Sequence, residues 1–332
     1  KGHDVAWTGL PLSPDQDAQP RALVPPSTAA TLNLAANAAQ AARIWKPYDA
    51  EFSARCLQAA LAAWEAALRH PDVLYLGGND TGGGAYDDNY VRDDFYWAAV
   101  ELYLSTGDQR YLPTVDAYVL TRSTFDWAHT ELAGLISLAT VVAPVTAQRR
   151  RLAQARILEL ADRHLGTQKA SAYATPLSAT EYEWGSNNAV SNKLMLMGLA
   201  YTFSQQRRYA DGVSQGMDYL LGRNTFSISF ATGTGARAVQ HPHHRFWAHV
   251  LDPKFPFAPP GALSGGPNSG LHDPVSRVKL AACVQLPASC WLDDINAYAV
   301  NEITINWNAP WAWLLDFQNT VATQRVGRGR AR

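Results

Sequence analysis

At 332 residues the chain is long enough to bury a large core, as one big domain or two smaller ones. Its 28 basic and 29 acidic residues leave a formal charge of −1, which gives no electrostatic reason to expect nucleic acid or an anionic membrane as a partner. No apolar run is long enough to span a bilayer, and the opening Lys1-Gly-His-Asp-Val looks neither like a signal peptide nor like a natural start, so the chain is expected to begin inside a longer protein.

An irregular, proline-bearing stretch from Leu10 to Pro26 comes first. Ser27 or Thr28 then caps a helix that runs to about Trp45, and Asp49 caps a second from Ala50 to about Arg69, stopped by His70-Pro71. Gly77 to Gly84 is a glycine-rich loop without the Lys-Ser/Thr that would close a phosphate-binding motif. It leads through Tyr86-Asp-Asp-Asn-Tyr-Val-Arg-Asp-Asp94 into an amphipathic helix, Phe95 to about Thr106. Further helices are expected at about Gln109–Leu120, Asp126–Val142, Ala147–Leu165, Ser186–Ser204 and Arg208–Leu221. Asn224 to Trp291 is a long aperiodic stretch of Gly, Pro, His and Ser, and a connection of that length inside a helical domain is usually functional. A last helix starts near Glu302, and Arg325–Arg332 reads as a short, basic, frayed tail. The pattern is all-α, with about nine helices, no run of strands and no strict repeat, which favours a closed ring of helical hairpins over a solenoid.

Three cysteines do not make a disulfide framework; Cys283 and Cys290 can pair across their loop, which leaves Cys56 as a buried thiol. The 11 Trp and 14 Tyr suit either a cleft for flat ligand faces or an aromatic core.

Two segments carry chemistry. The loop from Thr232 to Trp247 concentrates His241, His243, His244 and Arg245 beside Phe246 and Trp247. His-x-His can supply two metal ligands, or the same imidazole and guanidinium groups can hold ligand hydroxyls while Trp247 offers an apolar face. The stretch Trp291–Pro310 mixes carboxylates, amides and aromatics around Glu302, which is flanked by Val300, Ile303 and Ile305. In one reading Asp294, Asn296 or Asn301 caps the last helix and Glu302 sits in its first turn, favoured by the helix dipole. In the other, apolar surroundings raise the Glu302 pKa so that it can donate a proton near neutral pH. Glycosidic cleavage needs two carboxyl groups, one protonated and one ionised. Asp293 and Asp294 lie near enough to support Glu302, and neither is an obvious base.

Trp291-x-Asp293, Tyr298, Glu302-Ile-Thr304 and Asn308-Ala309 resemble the C-terminal signature of glycoside hydrolase family 9, the cellulase family with an (α/α)6 barrel. Ser229 through Thr232, Gly235, Arg237, Pro242-His243 and Arg245 resemble its second signature, with Ala231 where a larger apolar residue is usual. Glu183-Trp-Gly-Ser-Asn187, Met217-Asp-Tyr-Leu-Leu-Gly-Arg-Asn224 and Gly265-Gly-Pro-Asn268 are similar to the family as well, and the resemblance extends from about Gly2 to Phe317.

The resemblance implies an inverting endo-β-1,4-glucanase acting on cellulose-type or mixed-linkage glucan, with Glu302 as general acid and Asp293 tuning its surroundings. His243, Arg245 and Tyr298 would contact the sugar at the cleavage point, and Trp127, Trp184 and Trp247 are candidates for stacking on pyranose faces, each weighed against a structural tryptophan. The family's water-activating base lies in an Asp-Ala-Gly-Asp motif, which this sequence lacks. The family barrel has twelve helices against the nine or so counted, so the chain is expected to be the C-terminal portion of the catalytic domain (residues 1–318, then the basic tail 319–332). Its barrel would be incomplete at the N-terminal side, and its partners would be the glucan and the missing N-terminal part. Family members that share the Pro-Ser-Thr-Ala-Ala-Thr segment and the Gly-rich Asp-Asp loop usually have an immunoglobulin-like domain in front and bind calcium, for which Asp88, Asp93 and Asp94 are suitable ligands, as they are for capping the following helix. No cofactor is implied for the chemistry, and the size of the polymer implies secretion or a periplasmic location. An exo-acting cellodextrinase or β-glucosaminidase on the same fold, and a non-catalytic glycan-binding protein, are the alternatives.

Overall fold

A computed structural model describes residues 8–20, 23, 25–75 and 86–330, with side chains up to residue 323. The glycine-rich loop, residues 77–84, lies outside the described residues. Among those described the fold is all-α, as the periodicity requires, and the only β-type pairings are isolated bridges. No described helix is long and apolar enough to cross a membrane. The chain divides into two compact units, one of residues 18–156 and one of residues 8–17 and 157–332, with the division falling inside a helix.

In the first unit, α1 (Thr28–Trp45) and α2 (Ala50–Arg69) form a hairpin. Each is started by a side chain that accepts an orphan helix-end amide: Ser27 from Ala30 N at 3.3 Å, and Asp49 from Phe52 N at 2.8 Å. Ala35, Ala36, Ala39 and Ala42 on α1 are buried, and their small side chains let the helices approach closely. The third helix, α3 (Arg92–Thr106), starts one turn earlier than its pattern predicts. It is also not amphipathic: Asp93, Asp94, Tyr96 and every residue from Ala98 to Leu104 are buried. Its charge is internally compensated where Glu101, fully buried, meets Arg43 Nη2 at 2.6 Å and Trp97 Nε1 at 3.3 Å.

The helix expected at Gln109–Leu120 is a single 3₁₀ turn, Gln109–Tyr111, followed by the short α4 (Leu112–Ala117). The helix expected from Asp126 begins only at Glu131, as α5 (Glu131–Thr140). Asp126 instead folds a turn, accepting from Ala128 N at 2.9 Å and pairing with the His129 ring, while the Thr130 amide is taken by Asp93 at 2.9 Å. The helix that crosses the division, α6 (Ala147–Ala170), runs five residues past its predicted end.

In the second unit, α7 (Ser186–Ser204), α8 (Arg207–Leu220) and the last long helix enclose a core of Leu194, Met197, Tyr209, Val213, Phe230, Trp291 and Trp311. The segment from Asn224 to Trp291 is mostly irregular, as expected, broken by α9 (Pro274–Lys279) and short 3₁₀ turns. Cys283 and Cys290 are disulfide-bonded, and Cys56 is partly exposed rather than buried. A short helix that the sequence reading did not separate, α10 (Tyr298–Asn301), ends at Glu302, and α11 (Ile305–Arg330) begins three residues later and continues through the segment read as a basic tail.

Candidate active site

Glu302 lies in neither helix. It is the C-cap of α10 with extended backbone (φ −68°, ψ 151°), so the reading that put it in the first turn of the last helix is replaced by one in which it stands at a corner. Its carbonyl accepts from Gly265 N at 2.8 Å, and it forms a parallel bridge with His243 in which the His243 amide donates to Asn301 O at 2.8 Å. Two stretches far apart in sequence, the histidine loop and the acidic stretch, are thereby registered backbone to backbone.

Asn301 and Asp293 fasten that registration. Asn301 is fully buried; its Nδ2 donates to His241 O at 2.7 Å and to Asp293 Oδ1 at 3.3 Å, and its Oδ1 accepts from Ser264 Oγ at 2.8 Å. Asp293 accepts from the amides of Gln240 at 2.7 Å and His241 at 2.8 Å. It therefore acts on Glu302 through Asn301 and the loop. Asp294 is turned elsewhere, to Lys279 Nζ at 2.7 Å.

The Glu302 carboxyl accepts from Trp184 Nε1 at 3.2 Å. Burial pushes its pKa above the ordinary value of 4.5, while the Trp184 hydrogen bond and the charge of Arg245 pull it down. It lines a cavity of about 200 Å³ together with His243, His244, Arg245 and residues of the opening stretch, among them Ser13 and Asp17. His243 is buried, and its Nδ1 lies 2.6 Å from Ile295 O; since a carbonyl only accepts, Nδ1 carries the hydrogen. Burial lowers its pKa, so the ring is neutral and Nε2 is an acceptor suited to a hydroxyl.

His244 spends its Nδ1 on the amides of Phe246 and Trp247, both at 3.2 Å, and stacks on Trp247 at 4.1 Å and 21°. One face of Trp247 is thus taken by a protein ring. The His-x-His pair is His241 and His243, and among the described residues no group of three or more metal-type ligands forms around it. Trp184 is 39 % exposed and touches the rings of His272 (5.8 Å, 22°) and Tyr298 (5.8 Å, 38°); Tyr298 also touches His243 (5.6 Å).

Trp127 belongs to the other unit, where it is exposed and packed edge-on against Tyr86 at 5.2 Å. The three aspartates are also in that unit. Asp93 and Asp94 are buried side by side, and Asp93 Oδ1 and Asp94 Oδ2 are enclosed without a hydrogen-bond partner. Asp94 Oδ1 accepts from Asn33 Nδ2 and Thr130 Oγ1, both at 3.1 Å. Burial, with the charges of Asp93 and Asp88 beside it, drives the Asp94 pKa up to about 8. Two enclosed carboxylate oxygens that repel each other fit a hard cation as the missing partner. Asp88 uses Oδ1 on its own turn, accepting from Tyr90 N at 2.9 Å, and reaches the pair only through its charge.

Sequence reasoning missed His272, Trp307 and the wall formed by the opening stretch. Trp307 lies so close to Gly185 and Gly265 that a Cβ on either would come within 2.9 Å of its ring, and Gly185 also has φ +84°. The two family-like motifs Glu183-Trp-Gly-Ser-Asn187 and Gly265-Gly-Pro-Asn268 marked the backbone around these rings without naming them. A larger groove, about 720 Å³ and lined by Tyr173, Tyr182, Leu286 and Pro287 among others, has no carboxylate in its wall.

Comparison with known proteins gives one consistent answer. The sequence model of Glycosyl hydrolase family 9 matches residues 2–315. The chain is 42 % identical over 349 residues to a "Cellulose 1,4-beta-cellobiosidase" of Acetivibrio thermocellus, covering 97 % of this chain and 39 % of that protein. It is 41 % identical over 327 residues to "Endoglucanase C" of Cellulomonas fimi, covering 95 % of this chain and 29 % of that protein. Among solved structures, the thermostable endoglucanase of Alicyclobacillus acidocaldarius, as a single mutant, superposes with a TM-score of 0.84 at 28 % identity, over 94 % of this chain and 59 % of its own. The chain thus spans less than two thirds of the length of each, and less than half of the two curated relatives.

Proposed function

The chain belongs to glycosyl hydrolase family 9, with the family's all-α (α/α)6-barrel fold, and from that membership we propose that it carries the acid half of an inverting endo-β-1,4-glucanase site. The observation that carries the reading is one cavity in which a carboxyl with a raised pKa, Glu302, shares the wall with a neutral His243 and with Arg245. Glu302 protonates the departing glycosidic oxygen; His243 Nε2 accepts from a sugar hydroxyl, Arg245 donates to one, and Tyr298 and Trp184 flank the sugar at the glycosidic bond that is cleaved. Trp247 contributes a further sugar contact through the face that His244 leaves open, and the exposed Trp127 is a stacking candidate within its own unit. The second carboxylate, which activates water, is assigned to a segment outside this chain, because the sequence lacks the Asp-Ala-Gly-Asp motif. The glucan is met outside the cytoplasm, in the periplasm or beyond the cell.

The test uses the protein containing this chain and its upstream part on soluble mixed-linkage glucan. The expected result is a rapid fall in viscosity, with α-configured new ends seen by NMR before mutarotation. β-Configured ends rule out inversion, and reducing ends released at unchanged viscosity rule out endo action. The exo reading rests on similarity to relatives named a cellobiosidase and a cellodextrinase, and the viscosity arm decides between the two.

Asp93 and Asp94 are proposed to hold a structural calcium ion, which would screen their mutual repulsion and take no part in the chemistry. Without the ion, a folded-state pKa raised from 3.8 to about 8 makes stability fall as pH climbs between those values, because the unfolded chain ionises first. Calcium binding reverses this. Calcium at a hundredfold excess over its Kd should therefore stabilise the fold by about 2.7 kcal/mol. The accompanying rise in Tm should be larger at about pH 8 than at about pH 5. Asp94→Asn should abolish that difference, and a Tm indifferent to calcium in the parent protein removes the ion.

A further inference from the structure

Trp184 immediately precedes Gly185, the left-handed N-cap of α7, and its ring is set between protein groups rather than standing alone on the surface. The His272 ring lies beside it at 5.8 Å and 22°, and His272 is itself engaged by Asn268 Nδ2 at 3.1 Å. Tyr298 lies beside it at 5.8 Å. Gly270 is a requirement of this arrangement, since a Cβ there would come within 2.1 Å of the His272 ring. The indole is thereby held so that Nε1 donates to Glu302 Oε2 at 3.2 Å.

An indole N–H can only donate. The oxygen that accepts it is stabilised as the carbonyl-like oxygen of a protonated carboxyl, or as one end of a carboxylate, and in neither state does it carry the proton. We propose that Trp184 is a positioning residue for the acid, its N–H occupying Oε2 of Glu302 so that the transferable proton resides on Oε1. The inference rests on the reading of Glu302 as general acid and deepens it. A flat sugar platform needs only the face of the ring. A proton-placing role needs the N–H and the neighbours that fix its direction.

The ionisable groups around this carboxyl come from several elements. Arg245, His243 and His244 belong to the histidine loop and Asp17 to the opening stretch, Tyr298 belongs to α10, and His272 stands on the far side of the indole contact. Arg245 favours the ionised form through its charge, in the same sense as the indole hydrogen bond. The two are separable because only the indole bond is lost when the ring is kept and its nitrogen removed.

The first arm needs no turnover. In the chain labelled with ¹⁵N-indole, the Trp184 Nε1–H resonance should move with the ionisation of Glu302, at a midpoint above 4.5, and should be still in Glu302→Gln. The second arm uses the complete catalytic domain. Trp184→Phe keeps an aromatic ring and should move the basic limb of the kcat profile up by about half to one pH unit. It should lower kcat roughly tenfold on natural glucan with KM changed less than about threefold, and the loss of kcat should be smaller on an aryl glycoside whose leaving group needs no proton. An indole resonance that ignores the Glu302 titration overturns the proposal, as does a Trp184→Phe enzyme whose only change is a higher KM. If Glu302→Gln keeps its activity on natural glucan, the acid assignment itself falls. If it is inactive while the Trp184→Phe limb does not move, the acid stands and only the positioning role falls.

Discussion

Replacing Glu302 with Gln, in the protein that includes the upstream part, should lower kcat on natural β-glucan by about two to four orders of magnitude, the range of a lost general acid. The amide keeps the volume and can still accept from Trp184, so the corner at residue 302 and sugar binding should persist. An activated aryl glycoside should recover most of the rate, because its leaving group departs without protonation. The pH behaviour carries a second signature. The acid must be protonated to work, so kcat falls as pH rises through its pKa, and burial places that limb above 4.5. The same raised pKa makes the fold less stable as pH passes from 4.5 through the folded value, and this slope should vanish in Glu302→Gln. Unchanged turnover of glucan by the variant would remove Glu302 from the acid role.

The second large effect is expected at a residue that touches no substrate. Asn301→Ala removes a fully buried amide that joins Ser264, His241 and Asp293, and leaves the His241 carbonyl and the Ser264 hydroxyl without those partners. Lost bonds and stranded buried groups together cost about 3 kcal/mol. The Asp293 carboxylate keeps its two amide donors, but the tie from them to the acid is gone. Stability by urea denaturation and kcat should therefore fall together. A variant destabilised by less than about 1 kcal/mol with kcat intact would show that the network is dispensable to the site.

What the sequence disclosed follows the range of the interactions involved. Ser27 and Asp49 are legible caps because the amides they accept are three residues away. The start of α5 escapes the sequence pattern because Asp126 folds its own turn and the Thr130 amide is claimed by Asp93, a residue from an earlier helix. Glu302 was visible as an unusual acid, and its two motifs were visible as a pair. Its extended backbone was not, because that depends on Gly265 taking its carbonyl into a bond that helical periodicity does not encode. His272 left no local signal at all; its meaning lies in a ring contact with Trp184, and only the surrounding Gly265-Gly-Pro-Asn268 motif hinted that the segment mattered.

The bridge between His243 and Glu302 also constrains how this chain can be recombined with its relatives. The Asn301 carbonyl holds the His243 amide, the Asn301 side chain holds the His241 carbonyl, and Asp293 holds two further amides of the same loop. A crossover placed between residues 245 and 293 separates the donors of this lattice from their acceptors. Loop and acid therefore form one heritable block, and chimeras that exchange residues 229–247 together with residues 293–302 preserve a register that either exchange alone would break.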